Sequence, residues 1–268
     1  MAGDVTAPAP PADERRLPRA SWLARLGWLA LAVYVAYAAS LLEITWERFY
    51  AGLGHGAVFV ARMVPPDFSR WDLLVHDLTE SVEIAVLASF FGILIALPIG
   101  LLAARNMMPL WVTWPARALI AVCRSFHPII VAIVFVKAVG FGALAGILAL
   151  IVASVGFIAK LFAEAIEEIS MKQVEAVRAS GASFFNVVTF GVLPQVLARF
   201  IGFSSYQLDS NFRVSTVVGI VGGGGIGGTL FAAFQRFDYD FVAAILLSII
   251  ALIMVVEVFS ARLRATFQ

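Results

Sequence analysis

Long apolar runs without charge alternate with shorter polar segments along this chain. Three of the runs, at 84–104, 138–159 and 214–234, contain no acidic or basic residue. Each reaches the roughly 20 residues that an α-helix needs to cross a bilayer. With three further apolar stretches they predict an all-α integral membrane fold of six transmembrane helices, at about 26–42, 82–104, 117–139, 143–162, 196–221 and 241–259.

The same pattern predicts where the helices are interrupted. Pro128 follows His127 within the third helix, and a proline both lacks a backbone N–H and disfavours helical conformation in the residue before it. Gly140 and Gly142 mark a short turn into the fourth helix. The mixed segment 43–80 is predicted to lie outside the membrane, and 164–194 forms a long polar loop between helices four and five.

The first 21 residues differ in composition from the rest of the chain. They are rich in proline and alanine and contain Arg15, Arg16 and Arg19, so we predict a disordered cytoplasmic tail followed by one membrane domain over 22–268. Ala36-Tyr37-Ala38 resembles a signal-peptide cleavage site, but the leader before it is long and contains acidic residues, which favours an uncleaved first helix.

Composition supports a membrane protein independently. Hydrophobic residues make up 61% and charged residues 14% of the chain, against roughly 45–50% and about 25% in soluble domains. The alternative, a large soluble enzyme with a very apolar core, is disfavoured by the uncharged runs. A net charge of +1 does not indicate any charged partner such as nucleic acid. The single cysteine, Cys123, excludes an intrachain disulfide framework.

Basic residues cluster on one side of the predicted helices. They precede helix one, follow helix two, flank the 164–194 loop and end the chain, at Arg15, Arg16, Arg19, Arg25, Arg105, Lys160, Lys172, Arg178, Arg199, Arg262 and Arg264. Cytoplasmic loops carry the excess of lysine and arginine in membrane proteins. We therefore predict a multi-pass protein of the bacterial plasma membrane with both termini and the 164–194 loop in the cytoplasm.

The 164–194 loop contains a spaced set of small, acidic and proline residues. The stretch 175–194 reads EAVRASGASFFNVVTFGVLP. It resembles the cytoplasmic "EAA" loop of ABC-importer permeases, through which a membrane subunit docks on its ATPase. The resemblance implies coupling roles for Glu175, Ala176, Ala179, Gly181, Ala182, Ser183, Leu193 and Pro194. An ordinary cytoplasmic helical hairpin is the alternative.

Each part of this loop has an expected physical role. We predict a helix over 164–180 with Glu167, Glu168 and Glu175 exposed, and Gly181 permits either a backbone conformation or a close approach that a side chain would block. Ser183 could cap the next helix, and Pro194 would end or bend the approach to helix five. Gly191 and Val177 depart from the family pattern, which usually has a branched apolar residue and an alanine there, and could loosen the second helix of the loop.

A longer part of the chain, about 75–264, resembles the permeases of phosphonate importers. The resemblance rests on 124–169, with its Arg-x-x-x-Pro entry, its GxG turn and the run KLFAEAIE, and on 209–213, 218–222 and 260–264. Departures are Phe126-His127 and Gly223. The resemblance implies a second permease copy or close relative, two ATPase subunits and a soluble substrate-binding protein. It also implies that this chain is not an enzyme and binds no cofactor, with ATP and Mg²⁺ on the partner ATPase.

Four residues are candidates for the substrate path. Asp209 and Arg213 are four apart and so share one face of helix five, Asn211 lies between them, and Arg124 lies in helix three. Ionised groups at membrane depth usually face a cavity, form pairs or reach the surface, and guanidinium groups match phosphorus oxyanions in bidentate fashion. The alternatives are a structural Arg213–Asp209 pair and an Arg124 that reaches the cytoplasmic face.

A glycine-rich run follows helix five. It satisfies GxGxxG formally, but it follows a membrane helix rather than a strand, and Gly228 stands where a phosphate-binding loop has its lysine. We predict instead that Gly222, Gly224, Gly225 and Gly227 form a gate or hinge, with close backbone packing as the equal alternative. Two other functions stay open: a permease for another solute such as an amino acid, and a passive channel or membrane enzyme, although no catalytic or metal-binding spacing is visible, including at His76 and Asp77.

Overall fold

The computed structural model describes residues 22–42 and 45–267. The predicted tail, 1–21, lies outside the described residues. The described elements are all helical: α1 (Trp22–Leu41), α2 (Trp46–Ala61), α3 (Trp71–Ala103), α4 (Leu110–Ser125), α5 (Pro128–Val139), α6 (Ala143–Glu167), α7 (Met171–Ala179), α8 (Phe184–Asn186), a π-helical segment (Val187–Val192), α9 (Leu193–Ile220), α10 (Ile226–Gln235) and α11 (Tyr239–Phe267).

The chain divides into two compact units between Val58 and Phe59. The described part of the first unit contains α1, which is long and apolar enough to cross a membrane, and most of α2. The α2 helix lies in the segment 43–80, for which the sequence predicted no helix. Its apolar residues are interrupted by three glycines and two charges, so hydropathy alone did not reveal it.

The second unit is a helical bundle centred on α3 and α6. α3 has 33 residues and begins 11 residues before the predicted start at 82, because its charged first turns are helical although they are not apolar. α3 and α6 approach closely at two glycines. A Cβ atom on Gly92 would lie 2.5 Å from Ser154 Cβ, and one on Gly100 would lie 2.9 Å from the backbone oxygen of Ala159.

The predicted interruption at His127-Pro128 separates two helices. α4 and α5 meet at an angle of 91°. Pro128 opens α5, where its missing N–H is not needed, and His127 Nδ1 accepts a hydrogen bond from the N–H of Ile129 at 3.4 Å. α4 begins at Leu110, earlier than the predicted 117.

The backbone between α6 and α9 differs from the predicted 164–180 helix. α6 ends at Glu167, and α7 starts only after a break at Ser170. Pro194 does not end a helix, since helical backbone continues from Phe184 to Ile220. The N–H of Leu193 bonds to the carbonyl of Val188, a π-type register that precedes the proline, whose nitrogen has no hydrogen to donate.

By length and composition, five described helices can cross a membrane, or six if α4 and α5 form one bent span. This confirms the predicted all-α membrane fold.

Two ends of the bundle are named here by their residues. The loop end contains Ala103, Glu167 and the segment 171–192, and the glycine end contains Gly142 and Gly222, which are joined by a 3.0 Å backbone hydrogen bond.

Candidate coupling loop and substrate path

The first helix of the loop presents the small and acidic residues of the motif outward. Val174 is fully buried, whereas Glu175, Ala176 and Ala179 are exposed. Gly181 follows with a φ of +79°, and nothing lies within 4 Å of the position that its Cβ would occupy. Glycine adopts this left-handed conformation without the steric cost that other residues incur. Backbone conformation therefore requires glycine here, and the space around it is open.

The turn after Gly181 exposes aromatic side chains for which the sequence predicted no role. Ala182 is half-buried, and Ser183 occupies the N-cap position of α8 but makes no side-chain cap hydrogen bond, so the predicted cap is absent. Phe185 is 79% exposed and Phe190 is 69% exposed. The pair Phe184-Phe185, directly after Ser183, was the signal in the sequence that could have indicated an apolar contact surface.

The two departures from the family pattern contact each other. Gly191 is buried under α7, and a Cβ on it would lie 3.4 Å from Val174 Cα and 3.6 Å from Val177 Cγ2. Position 177 thus carries a larger residue than the family pattern and position 191, which faces it, a smaller one. The second helix of the loop was predicted to be loosened, but α7 and the π-helical segment pack closely.

Buried apolar residues fix the loop to the end of the bundle. Val174, Val187, Val192 and Val196 pack in one core with residues of α6 and the α3–α4 connection: Ala104, Met107, Phe162, Ala165 and Ile166. Leu193 packs against this core, and Pro194 is exposed. The loop is therefore a packed extension of the membrane helices.

Polar contacts around Glu167 add a second attachment. Glu167 was predicted to be exposed, but its Oε1 accepts hydrogen bonds from the Arg105 backbone N–H at 2.8 Å and from Arg117 Nη2 at 2.5 Å. Arg117 Nε also donates to the carbonyl of Ala103 at 2.9 Å. One carboxylate therefore joins the ends of α3 and α6 to the middle of α4.

A side chain of α9 closes the break before α7. Gln195 Oε1 accepts from the Ser170 N–H at 3.0 Å, and its Nε2 donates to the carbonyl of Gly191 at 2.6 Å. Arg199 pairs with Glu168 across the same junction. Movement of α7 would therefore be transmitted to the first turns of α9.

Arg213 and Asp209 form the ion pair that the sequence offered as the alternative to a role in the substrate path. The Asp209 side chain is 10% exposed, whereas that of Arg213 is 48% exposed. Asp209 Oδ1 is buried and has no hydrogen-bond partner among the described residues. Arg213 is thus a cation held by a buried acid on one side and open on the other.

Asn211, expected on the path with Arg213, lies instead in the interior between three helices. Its Nδ2 donates to Ser89 Oγ of α3 and to Ser154 Oγ of α6, both at 2.9 Å. Gln207 Nε2 donates to Ser154 Oγ at 3.0 Å and to Asn211 Oδ1 at 2.9 Å. Buried polar groups of this kind specify how helices pair, since leaving any one unbonded is costly.

This polar layer also gives the depth of the two arginines. Ser154 lies about 16 Å from the Ala143 end of α6 and about 20 Å from the Glu167 end, at 1.5 Å per residue. Arg213 is two residues beyond Asn211 toward the glycine end. Arg124 lies against Gly156, since a Cβ there would come within 2.8 Å of Arg124 Cγ. Arg213 and Arg124 therefore lie roughly 6 Å apart in depth, near the middle of the bundle.

The glycine run packs tightly on the neighbouring helices. A Cβ on Gly225 would lie 2.3 Å from Ser81 Oγ, and one on Gly227 would lie 1.8 Å from the backbone oxygen of Thr216. Gly222, Gly224 and Gly225 have φ values of +94°, +82° and +76°. These contacts favour close backbone packing over a flexible hinge.

Polar side chains surround the same end of the bundle. The N–H of Ile226 donates to Ser81 Oγ at 2.9 Å, and Thr229 donates to buried Asp77. His76, Asp77 and Glu80 bring one possible ligand atom each within 4.8 Å of one another. No metal spacing was predicted for these residues, because the predicted helix began only at 82 and α3 begins at Trp71. Asp77 already bonds Thr229 and His76 is exposed, so the structure favours a polar surface.

The fold resembles chains of solved ABC transporters. It matches the inward-facing methionine ABC transporter MetNI with a TM-score of 0.66 and 24% identity, covering 75% of this chain and 99% of that one. A transporter that imports the acidic polysaccharide alginate matches with a TM-score of 0.63 and 14% identity over 90% of this chain and 96% of that one. At these identities the likeness shows the class of fold alone, that of the helical chains of these ABC transporters.

Sequence relatives agree with this class. The phosphite transport system permease protein PtxC of Stutzerimonas stutzeri is 39% identical over 92% of this chain and 91% of its own length. The phosphate-import permease protein PhnE of Mycolicibacterium smegmatis is 38% identical over 94% of this chain, which spans 48% of that protein. A probable D-methionine transport system permease of Pasteurella multocida is 29% identical over 70% of this chain and 91% of its own length.

Residues 96–267 match the family of binding-protein-dependent transport system inner membrane components. The chain belongs to this family. It is a multi-pass membrane permease and not an enzyme, and it acts with an ATPase carried on a separate subunit and with a substrate-binding protein.

Proposed function

We propose that this chain forms the translocation path of an ATP-driven importer for phosphonates or related phosphorus oxyanions such as phosphite and phosphate. The observation that carries the proposal is the pair of guanidinium groups, Arg213 and Arg124, near the middle of the bundle. Ionised groups at this depth are costly, so they usually pair or face a water-filled cavity, and they commonly mark a substrate path. The phosphite and phosphate permeases among the relatives support the same class of substrate.

Arg213 is the stronger of the two path candidates. Its half-exposed guanidinium can offer N–H donors to a passing oxyanion while buried Asp209 limits how strongly it holds the anion. A weak site suits a path, because tight binding would slow release. Asn211 supports this segment from behind through the polar layer and does not contact the solute.

The coupling role belongs to the loop around Glu175, Ala176, Ala179, Gly181, Ala182 and Ser183, with Leu193 and Pro194 at its junction with α9. Its outward face combines an acidic residue, small residues and Phe185, while its inner face is packed on the bundle. Such a rigid element can receive a movement of the ATPase and pass it to α9 through Gln195 and Arg199.

The assembly that this function needs has a second permease copy or close relative, two ATPase subunits and a soluble binding protein. ATP and Mg²⁺ would be held by the ATPase and not by this chain. In the bacterial plasma membrane, the loop end and both termini face the cytoplasm, as the distribution of basic residues favours.

The runner-up is import of an amino acid, which the resemblance to methionine permeases favours. One experiment separates the two. The permease is co-expressed with the ATPase and binding protein encoded beside it, the complex is purified, and ATP hydrolysis is measured with the binding protein added. We expect stimulation by binding protein loaded with phosphite or methylphosphonate and not by protein incubated with methionine. The reverse pattern would contradict the proposed substrate class, and failure of the ATPase to copurify would contradict the coupling role.

A further inference from the structure

A groove between α4 and α6 at the loop end is lined by three basic side chains. One face of α4 contributes Arg117, Ile120, Ala121 and Arg124, which follow a helical spacing, and α6 contributes Lys160, Ala163 and Glu164. Ala103 closes the groove at the end of α3. The cavity has a volume of about 390 Å³, enough for a tetrahedral oxyanion with an organic substituent or bound water.

The charges in the groove are unevenly balanced. Arg117 is engaged by Glu167 and by the carbonyl of Ala103. Among the residues that the structure describes, Lys160 forms one ion pair, with Glu164 at 3.5 Å, and these two side chains are 45% and 48% exposed. An exposed pair four residues apart on a helix is weak, so another anion can displace Glu164. Arg124 has no ion pair among the described residues.

A glycine positions Arg124 beside Lys160. The stem of Arg124 lies across Gly156, where a Cβ would come within 2.8 Å of its Cγ. Gly156 and Lys160 are one helical turn apart on the same face of α6. The missing side chain at 156 therefore lets the guanidinium of α4 reach the face of α6 that carries the ammonium group, and both line the same cavity.

We propose that this groove is a binding site for a phosphorus oxyanion. Arg124 and Lys160 hold the anion, and Arg117 lies at the end of the groove nearest the loop end of the bundle. A guanidinium offers paired N–H donors to two oxygens, and an ammonium adds a compact charge. The ligand is either the transported phosphonate or phosphite, held between the middle of the bundle and the loop end, or the phosphate of a membrane lipid. The first source rests on the proposed function and makes the groove a second station after Arg213.

The basic lining of the groove extends along the axis of the bundle. Arg117 and Arg124 are two turns apart, about 10 Å along α4, so the basic lining extends from the loop end toward the polar layer around Ser154. In depth, Arg124 lies next to Arg213 on the side of the loop end. The short chain of basic groups gives an anion successive weak sites, which permits passage without a deep energy well.

The test uses the purified permease–ATPase complex without binding protein, in nanodiscs of phosphatidylcholine alone or with added phosphatidylglycerol. The probe is methylphosphonate at millimolar concentration, and saturation-transfer NMR on its methyl protons reports binding. The variants are Lys160→Gln and the double variant Arg124→Gln/Lys160→Gln. Lys137→Gln, an exposed lysine on α5, is the matched control, and ATPase copurification checks that each variant assembles.

We expect a methylphosphonate signal from the unaltered complex that falls at least threefold in Lys160→Gln, falls further in the double variant and persists in Lys137→Gln. If the signal persists in Arg213→Ala, the methylphosphonate binds at the groove and not at Arg213. A signal in phosphatidylcholine that phosphatidylglycerol abolishes would assign the groove to lipid phosphate, and a signal unaffected by phosphatidylglycerol would assign it to the solute. Equal signals, or none, from the unaltered complex and the groove variants in both lipids would overturn the proposal.

Uptake distinguishes failure of this site from failure of the proposed function. If the unaltered complex accumulates phosphite or methylphosphonate in proteoliposomes while the groove variants bind methylphosphonate like the unaltered complex, the importer stands and the groove site is wrong. If the unaltered complex accumulates neither solute, the proposed function is wrong.

Discussion

At the scale of single residues, the most informative positions are those where a side chain is missing. Gly191 lies against the backbone of Val174 and the side chain of Val177, and Gly156 accommodates the stem of Arg124. Neither role can be recognised locally, because each depends on a helix distant in sequence. Gly181 is different: its place in the loop motif predicted an unusual backbone conformation or a close approach, and its φ is +79°.

The contact between Gly191 and Val177 leads to a prediction about compensation. Gly191→Val would force γ-methyl groups into α7, and overpacking of this kind typically costs about 1–3 kcal/mol. Adding Val177→Ala removes the nearest methyl groups, so the double variant should recover part of that loss. Thermal unfolding of the detergent-purified permease measures both. A double variant no more stable than Gly191→Val would show that the two residues do not compensate, and Gly191→Ala is the control, since its Cβ would make ordinary contacts.

At the scale of elements, Glu167 connects three helices at the loop end: the end of α6, which carries it, the backbone just after α3 and the middle of α4. Glu167→Gln keeps the shape of the side chain but removes the charge that Arg117 and the Arg105 N–H bind. Because hydrogen bonds to charged groups contribute about 1.5–3 kcal/mol and this site is partly exposed, we expect a loss of about 1 kcal/mol. Thermal unfolding measures it against Glu168→Gln, whose carboxylate is 66% exposed. Equal stability of the two variants would remove the special role of Glu167.

The coupling loop makes a separate prediction at Phe185. This side chain is 79% exposed, so Phe185→Ala should leave the unfolding temperature of the permease nearly unchanged. If the loop docks on the ATPase, the variant should reduce the amount of ATPase that copurifies and the stimulated ATP hydrolysis at least severalfold. Phe162→Ala, at a buried ring of the same core, should instead lower stability. Full ATPase association by Phe185→Ala would place Phe185 outside the docking surface.

The sequence predicted some of the helices and their breaks and missed others. Apolar runs predicted the long helices, and His127-Pro128 predicted the break that the structure resolves as a 91° bend. Hydropathy missed the charged start of α3, the short helices α2 and α10, and the π-helical turn before Pro194. Those features depend on hydrogen-bond register and on packing between elements, which the composition of a window does not reveal.

At the scale of the whole molecule, the bundle places its charged groups by pairing helices that are far apart in the chain. The buried Ser89, Ser154, Gln207 and Asn211 join α3, α6 and α9, which leaves the opposite face of α9 to carry Arg213. From sequence, Asp209 and Arg213 could be assigned to one face, but Asn211 could not be assigned to the interior. The groove between α4 and α6 could not be predicted at all, because it requires the approach of Arg124 to Gly156.

The most direct measurement of the central claim is uptake of radiolabelled phosphite by proteoliposomes that contain the complete importer and ATP. The unaltered complex should accumulate phosphite, Arg213→Ala should lose at least nine-tenths of that uptake while still assembling with the ATPase, and Arg62→Ala, an exposed arginine between α2 and α3, should retain it. Unchanged uptake by Arg213→Ala would remove this residue from the path, and absence of ATP-dependent phosphite and methylphosphonate uptake by the unaltered complex would contradict the account.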